Sequence, residues 1–297
     1  MISPLKLKEL YDQGTNISDY LKNNNTQEYK SSEIIELSYD LQSGSYSRAM
    51  QNQEYAELKN KLAGEIANKI LSYCKPGSIL ETGIGEGTTL SGVLKHLPSQ
   101  TLSFGFDLSW SRIAYAQLWL KQNDLNNTLL CTGDMLNIPF LDNSIDVVYT
   151  AHSIEPNGGN EENIIKELYR VTGRYLVMVE PEYDIASDEG KERMDRFGYC
   201  KKIKNICEKL DYNILEHSPL QHNLNPLNPV AVTVIQKSST FTRLENVFAC
   251  PVFKTPLTRS KGNYFSEEAL SIYPVIDGIP CLRIENSILA SKYLETT

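Results

Sequence analysis

Residues 78–90 read Ser-Ile-Leu-Glu-Thr-Gly-Ile-Gly-Glu-Gly-Thr-Thr-Leu, and the rest of the chain is organised around them. Ile79–Thr82 is a short apolar run of strand character, Gly83, Gly85 and Gly87 make a turn, and Thr88 onward resumes a helical pattern. A turn of this kind lets backbone pass close to a ligand, because glycine has no Cβ to block the approach. The helix behind it offers free N–H groups and a positive dipole end. The spacing alone fits a phosphate loop or a nucleotide loop equally well, so the neighbouring stretches must say what the turn holds.

Downstream, short apolar runs alternate with helical periodicity. The pattern predicts strands at Ile79–Thr82, Leu102–Asp107, Thr128–Cys131, Ile145–Thr150, Arg174–Glu180, Tyr212–Glu216 and Val230–Gln236. Helices are predicted at Thr88–His96, Ser111–Gln122, Glu161–Val171 and Asp188–Leu210. This alternation implies an α/β fold, a doubly wound and mostly parallel seven-stranded sheet with helices on both faces. Such sheets bind ligands at the carboxyl ends of their strands, near the topological switch point.

Upstream, residues 1–73 read as a helical segment. Leu5, Leu7, Leu10 and Tyr11, then Ile17, Tyr20 and Leu21, suggest a helix or helix pair, followed by a polar break, NNNTQEYKSS at 23–32. Tyr55, Leu58, Leu62, Ile66, Ile70 and Leu71 give a clear helical period, closed by Lys75-Pro76-Gly77. Residues 238–297 differ, with proline, glycine and short apolar runs and one plausible helix, Ser287–Leu294. The expected organisation is a helical segment over 1–73, a ligand-binding domain over 74–237, a linker near SSTFTR, and a small β-rich domain over 244–297.

The 297 residues are 41% hydrophobic and 22% charged, enough for one large domain with a satellite. Net charge is −8, and 238–297 carries six bases and six acids, so the acidic excess lies in 1–237. An acidic body disfavours nucleic acid as a partner. No stretch approaches the ~20 apolar residues that span a membrane, and the N-terminus has no signal-peptide core. A cytoplasmic protein with no membrane partner is expected. The six cysteines show no paired framework, and oligomeric state is not legible.

Three further stretches fall in register with the opening turn. The second strand ends at Asp107, 20 residues after Gly87, where a carboxylate can accept from both ribose hydroxyls. The third ends at Gly133-Asp134-Met135, a carboxylate beside an apolar side chain, which suits an adenine edge. The fourth ends at Thr150-Ala151-His152-Ser153, where the reacting group of the ligand would lie. A dinucleotide site would carry a third glycine at position 88, which is Thr, and would leave the Gly133-Asp134-Met135 stretch without a role.

The chain here resembles the class I S-adenosylmethionine-dependent methyltransferases, through ETGIGEG (81–87), GFDLSWS (105–111), GDMLNIPFLDNSIDVVYTAHSIEP (133–156) and YLVMVEP (175–181). The resemblance implies S-adenosylmethionine as cofactor. Gly83, Gly85 and Gly87 would line its methionine part and Glu81 would meet its ammonium. Asp107, with Leu108, would hold the ribose, and Asp134 and Met135 the adenine. The backbone at Thr150–Ala151 would face the sulfonium. A second resemblance concerns YDLQSGSYSR (39–48), similar to the N-terminal helical lid of small-molecule methyltransferases. It makes Tyr39, Gln42, Tyr46 and Arg48 candidates to close over the cofactor, with Arg48 or a tyrosine hydroxyl on its carboxylate.

The tail is the third. Residues 244–257 and Ile272-Tyr-Pro-Val-Ile-Asp-Gly-Ile-Pro280 resemble the small zinc-ribbon-like activator proteins of methyltransferases acting on tRNA, rRNA and release factors. Where the zinc-binding members place cysteines, this chain has Cys250 with Phe253, then Ser266 and Ala269. One thiolate cannot furnish a tetrahedral site. No metal is expected, with Phe248, Phe253, Tyr264, Phe265 and Tyr273 packing in its place.

A hydroxyl acceptor would need a base near the fourth strand's end. His152 and Glu155 are best placed, and His222 and His217 could reach the same mouth from the loop between the last two strands. Glu180 and Glu182 are further candidates to contact the acceptor. The D/N-P-P-aromatic motif of many amino-methylating nucleic-acid enzymes is absent after strand four, where Ala-His-Ser-Ile-Glu-Pro stands. The expected function is therefore O-methylation of a small hydroxylated metabolite such as a sugar or sugar acid. The alternatives are an RNA- or protein-directed methyltransferase with its activator fused in cis, and a cofactor-binding regulatory protein without catalysis.

Overall fold

The computed structural model describes residues 2–24, 31–238 and 246–295. Residues 25–30 of the polar break, 239–243 of the predicted linker, and Leu244 at the start of the predicted tail domain lie outside the described residues.

Helices open the chain: α1 (Pro4–Asp12), α2 (Ile17–Asn24), α3 (Ser31–Leu41) and the short α4 (Ser45–Ala49). Ser3 caps α1 by accepting from the Lys6 N–H at 3.3 Å, with Pro4 at the first position where its missing N–H costs nothing. Leu7, Ile17, Leu21 and Ile34 make a small core of their own. Helix α5 (Gln53–Tyr73), capped by Asn52, buries Leu62, Ala63, Ile66, Ala67 and Ile70, the i, i+4 stripe that its sequence periodicity predicts.

The main sheet follows: β1 (Ser78–Thr82), α6 (Thr88–Leu94), β2 (Leu102–Asp107), α7 (Trp110–Gln122), β3 (Leu129–Thr132), β4 (Ile145–Ala151), α8 (Glu161–Val171) and β5 (Thr172–Pro181). Then come α9 (Asp188–Phe197), α10 (Ile203–Lys209), β6 (Asn213–Pro219) and β7 (Val230–Gln236). Strand order is β3-β2-β1-β4-β5-β7-β6, parallel except for β7, which runs antiparallel to both β5 and β6. Every residue of β1 is buried, as a parallel strand covered on both faces requires. The order reverses between β1 and β4, and the glycine turn sits at that point.

Two predicted helices are corrected. The expected Asp188–Leu210 helix is two helices, because Gly198 (φ 63°) ends α9 in the left-handed region and Lys202 (φ 61°) restarts the chain. The expected Ser287–Leu294 helix contains instead a short strand, Ile288–Leu289, whose residues pair antiparallel with Ile272 and Ser271.

The tail comprises β8 (Thr258–Ser260), β9 (Asn263–Ser266), β10 (Ser271–Tyr273) and β13 (Ile288–Leu289) in one sheet, and a hairpin of β11 (Val275–Ile276) with β12 (Ile279–Pro280). The hairpin turns on Asp277-Gly278, both at positive φ, the geometry a two-residue turn needs to match strand twist. The tail shares the main core. Leu282 N–H donates to Thr132 O at 3.3 Å, Leu141 N–H to Val247 O at 2.9 Å, and Ala249 N–H to Pro139 O at 3.0 Å. The buried Phe248 ring lies 5.3 Å from those of Phe140 and Tyr264, and Lys254 pairs with Glu167 of α8 at 2.9 Å. The β3 edge of the sheet is thereby covered.

Of the aromatics expected to pack around Cys250, Phe248, Phe265 and Tyr273 are buried, but Phe253 is 50% exposed. Burial alone would raise the Cys250 thiol. Hydrogen bonds from Ser266, the Phe253 backbone and Tyr273 outweigh burial and leave it below the ordinary range.

Candidate cofactor and acceptor site

The carboxyl ends of β1, β2, β3 and β4 open into one cavity of about 820 Å³, toward the upper part of the ~300–1,000 Å³ span of ligand pockets. Gly83 (φ 64°) and Gly85 (φ 55°) form its floor. A Cβ on Gly83 would stand 2.5 Å from Ser153 Cβ and 2.9 Å from Met135 Cε, so both sterics and backbone conformation demand glycine. Gly87 lies outside the cavity lining. It caps α6 in the left-handed region and faces Ala116 and Leu120.

Charges ring this floor. Glu81, buried at the end of β1, accepts from the Tyr149 hydroxyl at 2.7 Å, and burial pushes its carboxyl up to about 7. Lys59 of α5 also lines the cavity, and burial pulls its ammonium down against the opposing pull of Glu81. Asp107 accepts from Gly85 N–H at 2.9 Å and Ser109 N–H at 3.0 Å, with burial raising its carboxyl. A carboxylate offers about four lone-pair sites, so two acceptor positions remain for hydroxyls. Asp134 accepts from Leu136 N–H at 2.8 Å and lines the cavity with Met135 and Leu108.

The helices α3, α4 and α5 roof the site through Ile34, Ile35, Tyr39, Tyr46 and Tyr55. Two residues unassigned in the sequence reading hold this roof down. Glu86, inside the glycine turn and 0% exposed, accepts from Gly44, Tyr46 and Ser47 N–H at 2.9, 3.2 and 2.7 Å. Arg112 of α7 lies 4.8 and 4.6 Å from the ring centroids of Tyr39 and Tyr46, and its Nε donates to Tyr39 O at 2.9 Å. A charged side chain inside an otherwise apolar turn was the available signal for Glu86. Arg112 and Lys59 had none, being ordinary residues of amphipathic helices.

At the β4 end, Ala151, His152, Ser153 and Glu155 line the cavity, while Thr150 is buried within the strand and does not. His152 sits at φ 58°, its Nδ1 3.2 Å from Glu155 Oε2, and its buried Nε2 has no partner among the described residues. Beneath, Glu180 accepts from the N–H groups of Ser153, Ile154 and Glu155 at 3.1, 3.2 and 3.2 Å, and burial pushes its carboxyl up to about 7. Glu180 therefore props the β4 loop and does not reach the acceptor. The chamber beyond is lined by Asn157, Asn160, Phe197, Leu224, Asn225 and Asn228.

Three expectations are corrected by position. Arg48 is exposed on α4 and does not line the cavity. His222 is held outside it by Glu65 of α5 at 2.8 Å, and the same loop reaches the chamber through Leu224, Asn225 and Asn228 instead. Glu182 faces His217 at 3.4 Å, away from the lining.

The strand order, the glycine cradle and the acidic residues at three strand ends define a Rossmann-like domain with a cofactor cavity at its switch point. Residues 79–174 match the family described as a methyltransferase domain. With the fold, that match makes S-adenosylmethionine the cofactor of the cavity. The chain is similar to the demethylmenaquinone methyltransferase of Porphyromonas gingivalis, 25% identical over 143 residues, 47% of this chain and 56% of that protein. The matched stretch thus spans little more than half of that relative. Among solved structures it is similar to the magnesium protoporphyrin IX methyltransferase of Synechocystis PCC 6803 with bound SAH: TM-score 0.53, 13% identity, 67% of this chain and 98% of that one. It is also similar to a chain of the complex between the Haloferax volcanii Trm112 methyltransferase activator and the putative methyltransferase: TM-score 0.50, 14% identity, 67% and 96%. At these identities the likeness is one of fold. Among the described residues no helix is long and apolar enough to cross a membrane.

Proposed function

We propose that this chain methylates a hydroxyl of a small polar metabolite with S-adenosylmethionine. Bound in the cradle, the cofactor supplies an electrophilic methyl on sulfur. Glu81 takes its ammonium, and Lys59 takes the carboxylate in the role first expected of Arg48. Asp107 holds the ribose, and Asp134 with Met135 the adenine.

The observation that carries the acceptor assignment is the His152–Glu155 pair. Glu155 accepts the Nδ1 proton of His152, which leaves on Nε2 a lone pair with no partner among the described residues, placed to take the acceptor proton once a bound acceptor reaches it. A chamber in which Asn157, Asn160, Asn225 and Asn228 outnumber Phe197 and Leu224 suits a polar acceptor better than an isoprenoid quinone. It also gives the non-catalytic reading no support, since the space above the cradle continues into the chamber.

His152→Asn tests the assignment. Asparagine tolerates the left-handed backbone, so the loop is kept while the base is removed. Turnover is expected to fall about 10²- to 10⁴-fold with cofactor affinity unchanged; unaltered turnover would reject the base.

A second reading, an RNA- or protein-directed enzyme with its activator in cis, is favoured by one feature: the tail adds to the β3 edge through backbone hydrogen bonds at Thr132, Pro139 and Leu141. Methylation of bulk tRNA or a release factor by the purified chain would support it over the first.

A further inference from the structure

Asn225 and Asn228, both in the loop between β6 and β7, were not singled out by their sequence, and their amides are fixed in one sense. Asn228 is 7% exposed, and its Oδ1 accepts from Arg193 Nη1 at 2.6 Å. Arginine can only donate, so the atom facing it must be oxygen, and Nδ2 is what Asn228 offers to the chamber and to the neighbouring Tyr199 hydroxyl. Asn225 Oδ1 accepts from Leu227 N–H at 3.0 Å, in an Asx turn, which likewise leaves Nδ2 for the chamber. Two amides whose oxygens are engaged behind them and whose N–H groups face inward form a site for oxygen lone pairs. Arg193, whose guanidinium carbon also lies 4.9 Å from the Phe197 ring centroid and 5.5 Å from that of Tyr199, places a positive charge directly behind Asn228 and polarises its amide. The His152–Glu155 pair lines the same cavity.

We propose that Asn225 and Asn228 bind a carboxylate of the acceptor, so that the substrate is a hydroxy acid, a sugar acid or a smaller relative, and not a neutral polyol. The inference rests on the reading of the chamber as the acceptor site. A carboxylate matches a donor-only pair backed by a cation. A neutral hydroxyl can accept from the same N–H groups, but it brings no negative charge to meet the Arg193 cation behind them and must turn its own proton elsewhere. Held there, the acid would present a hydroxyl to the His152–Glu155 pair of the same cavity, and the two amides would set which hydroxyl is presented.

The test uses the full chain saturated with S-adenosylhomocysteine, titrated by calorimetry with gluconate, glucuronate and lactate, each against its neutral counterpart (sorbitol, glucose, 1,2-propanediol). At least one carboxylate is expected to bind ten-fold or more tightly than its counterpart. Asn228→Asp and, separately, Asn225→Asp turn a donor into a charged acceptor of the same shape. Each is expected to weaken that binding at least ten-fold while S-adenosylhomocysteine affinity stays within two-fold, which also shows that the variant is folded. Equal binding of the neutral compounds, binding of no carboxylate, or indifference to both substitutions would overturn the proposal. If the wild-type chain does not bind S-adenosylhomocysteine, the cofactor reading falls and takes this inference with it, so the two failures are distinguishable.

Discussion

Glu86→Gln should loosen the roof of the cofactor cavity without unfolding the sheet. The carboxylate accepts three backbone N–H groups from residues 44–47 with its two oxygens. Glutamine keeps one carbonyl oxygen and turns an NH₂ toward donors that it cannot serve, so at least one of the three bonds is lost. A hydrogen bond to a charged group contributes about 1.5–3 kcal/mol, which raises the opening equilibrium of this segment by about 10- to 150-fold. The direct assay is hydrogen exchange at the amides of Gly44, Tyr46 and Ser47, where the rate scales with the open population. These amides should exchange faster by that factor while the buried amides of β4 keep their protection. Cofactor affinity follows only when the open state becomes dominant, so Glu86→Ala, which strands all three donors, should show the larger affinity loss. Unchanged protection at residues 44–47 in a folded Glu86→Gln protein would refute the view that the glycine turn holds the roof through this one carboxylate.

Other outcomes follow from the same contacts. Glu81 and Glu180 have carboxyls raised to about 7 in the fold, against roughly 4.3 when unfolded. Their raised values mean that the folded state holds these protons more tightly, so their contribution to stability is full below about pH 4.3 and is lost as pH rises through 7. The ligand-free melting temperature should decline across that window, and Glu180→Gln should flatten part of the decline; a rise would reject it. Because only an ionised Glu81 can take an ammonium, S-adenosylmethionine affinity should increase over the same window, as read by calorimetry at fixed ionic strength. Phe248→Ala, at the centre of the contact between main sheet and tail, should cost about 3–5 kcal/mol in denaturant unfolding, and residues 1–237 alone should be less stable than the whole. Equal stability would show that the tail covers nothing important.

The parts of the site that were legible are those fixed by strand ends. Once 78–90 is read as strand, turn and helix, the alternation of side chains along parallel strands sets Asp107 and Asp134 around the same mouth, and the carboxyl-end rule locates the ligand. Direction off a helix or a long loop is another matter. Arg48 and Tyr46 are two residues apart on α4, and only Tyr46 faces the cavity. His222 and Leu224 share a loop, yet Glu65 pins the histidine outside. These choices depend on partners that are remote in sequence, which local pattern does not carry. The Ser287–Leu294 difference has the same origin: Ile288 lies opposite Ile272 of β10, and a pairing available only in the folded tail overrides the helical tendency of a short segment.

α5 shares the main core, but the α3–α4 part of the roof is tied to the body through charged side chains from three separate places. Glu86 holds α4 from the glycine turn, and Arg112 holds the α3–α4 junction from α7. From the tail, Arg283 pairs with Glu36 of α3 and donates to Leu108 O at 3.3 Å; burial raises the Asp134 carboxyl, and the Arg283 charge opposes that rise. The apolar cluster of Leu7, Ile17, Leu21 and Ile34 belongs to the N-terminal helices themselves and is separate from the sheet's cores. A segment with its own small core and polar anchors can lift as a unit at the cost of a few directional bonds, whereas one sharing the main core would have to expose apolar surface. That arrangement suits a site whose cofactor must enter and whose product must leave beneath Tyr39 and Tyr46. It also gives the tail a role beyond covering β3: through Arg283 it touches both the roof and the loop that carries Leu108, so tail and cofactor are linked energetically. Arg283→Met, which keeps the packing stem and deletes the charge, should therefore weaken cofactor binding several-fold while leaving the Phe140–Phe248–Tyr264 contact intact. Unchanged affinity would reduce the tail to a cover for the sheet edge.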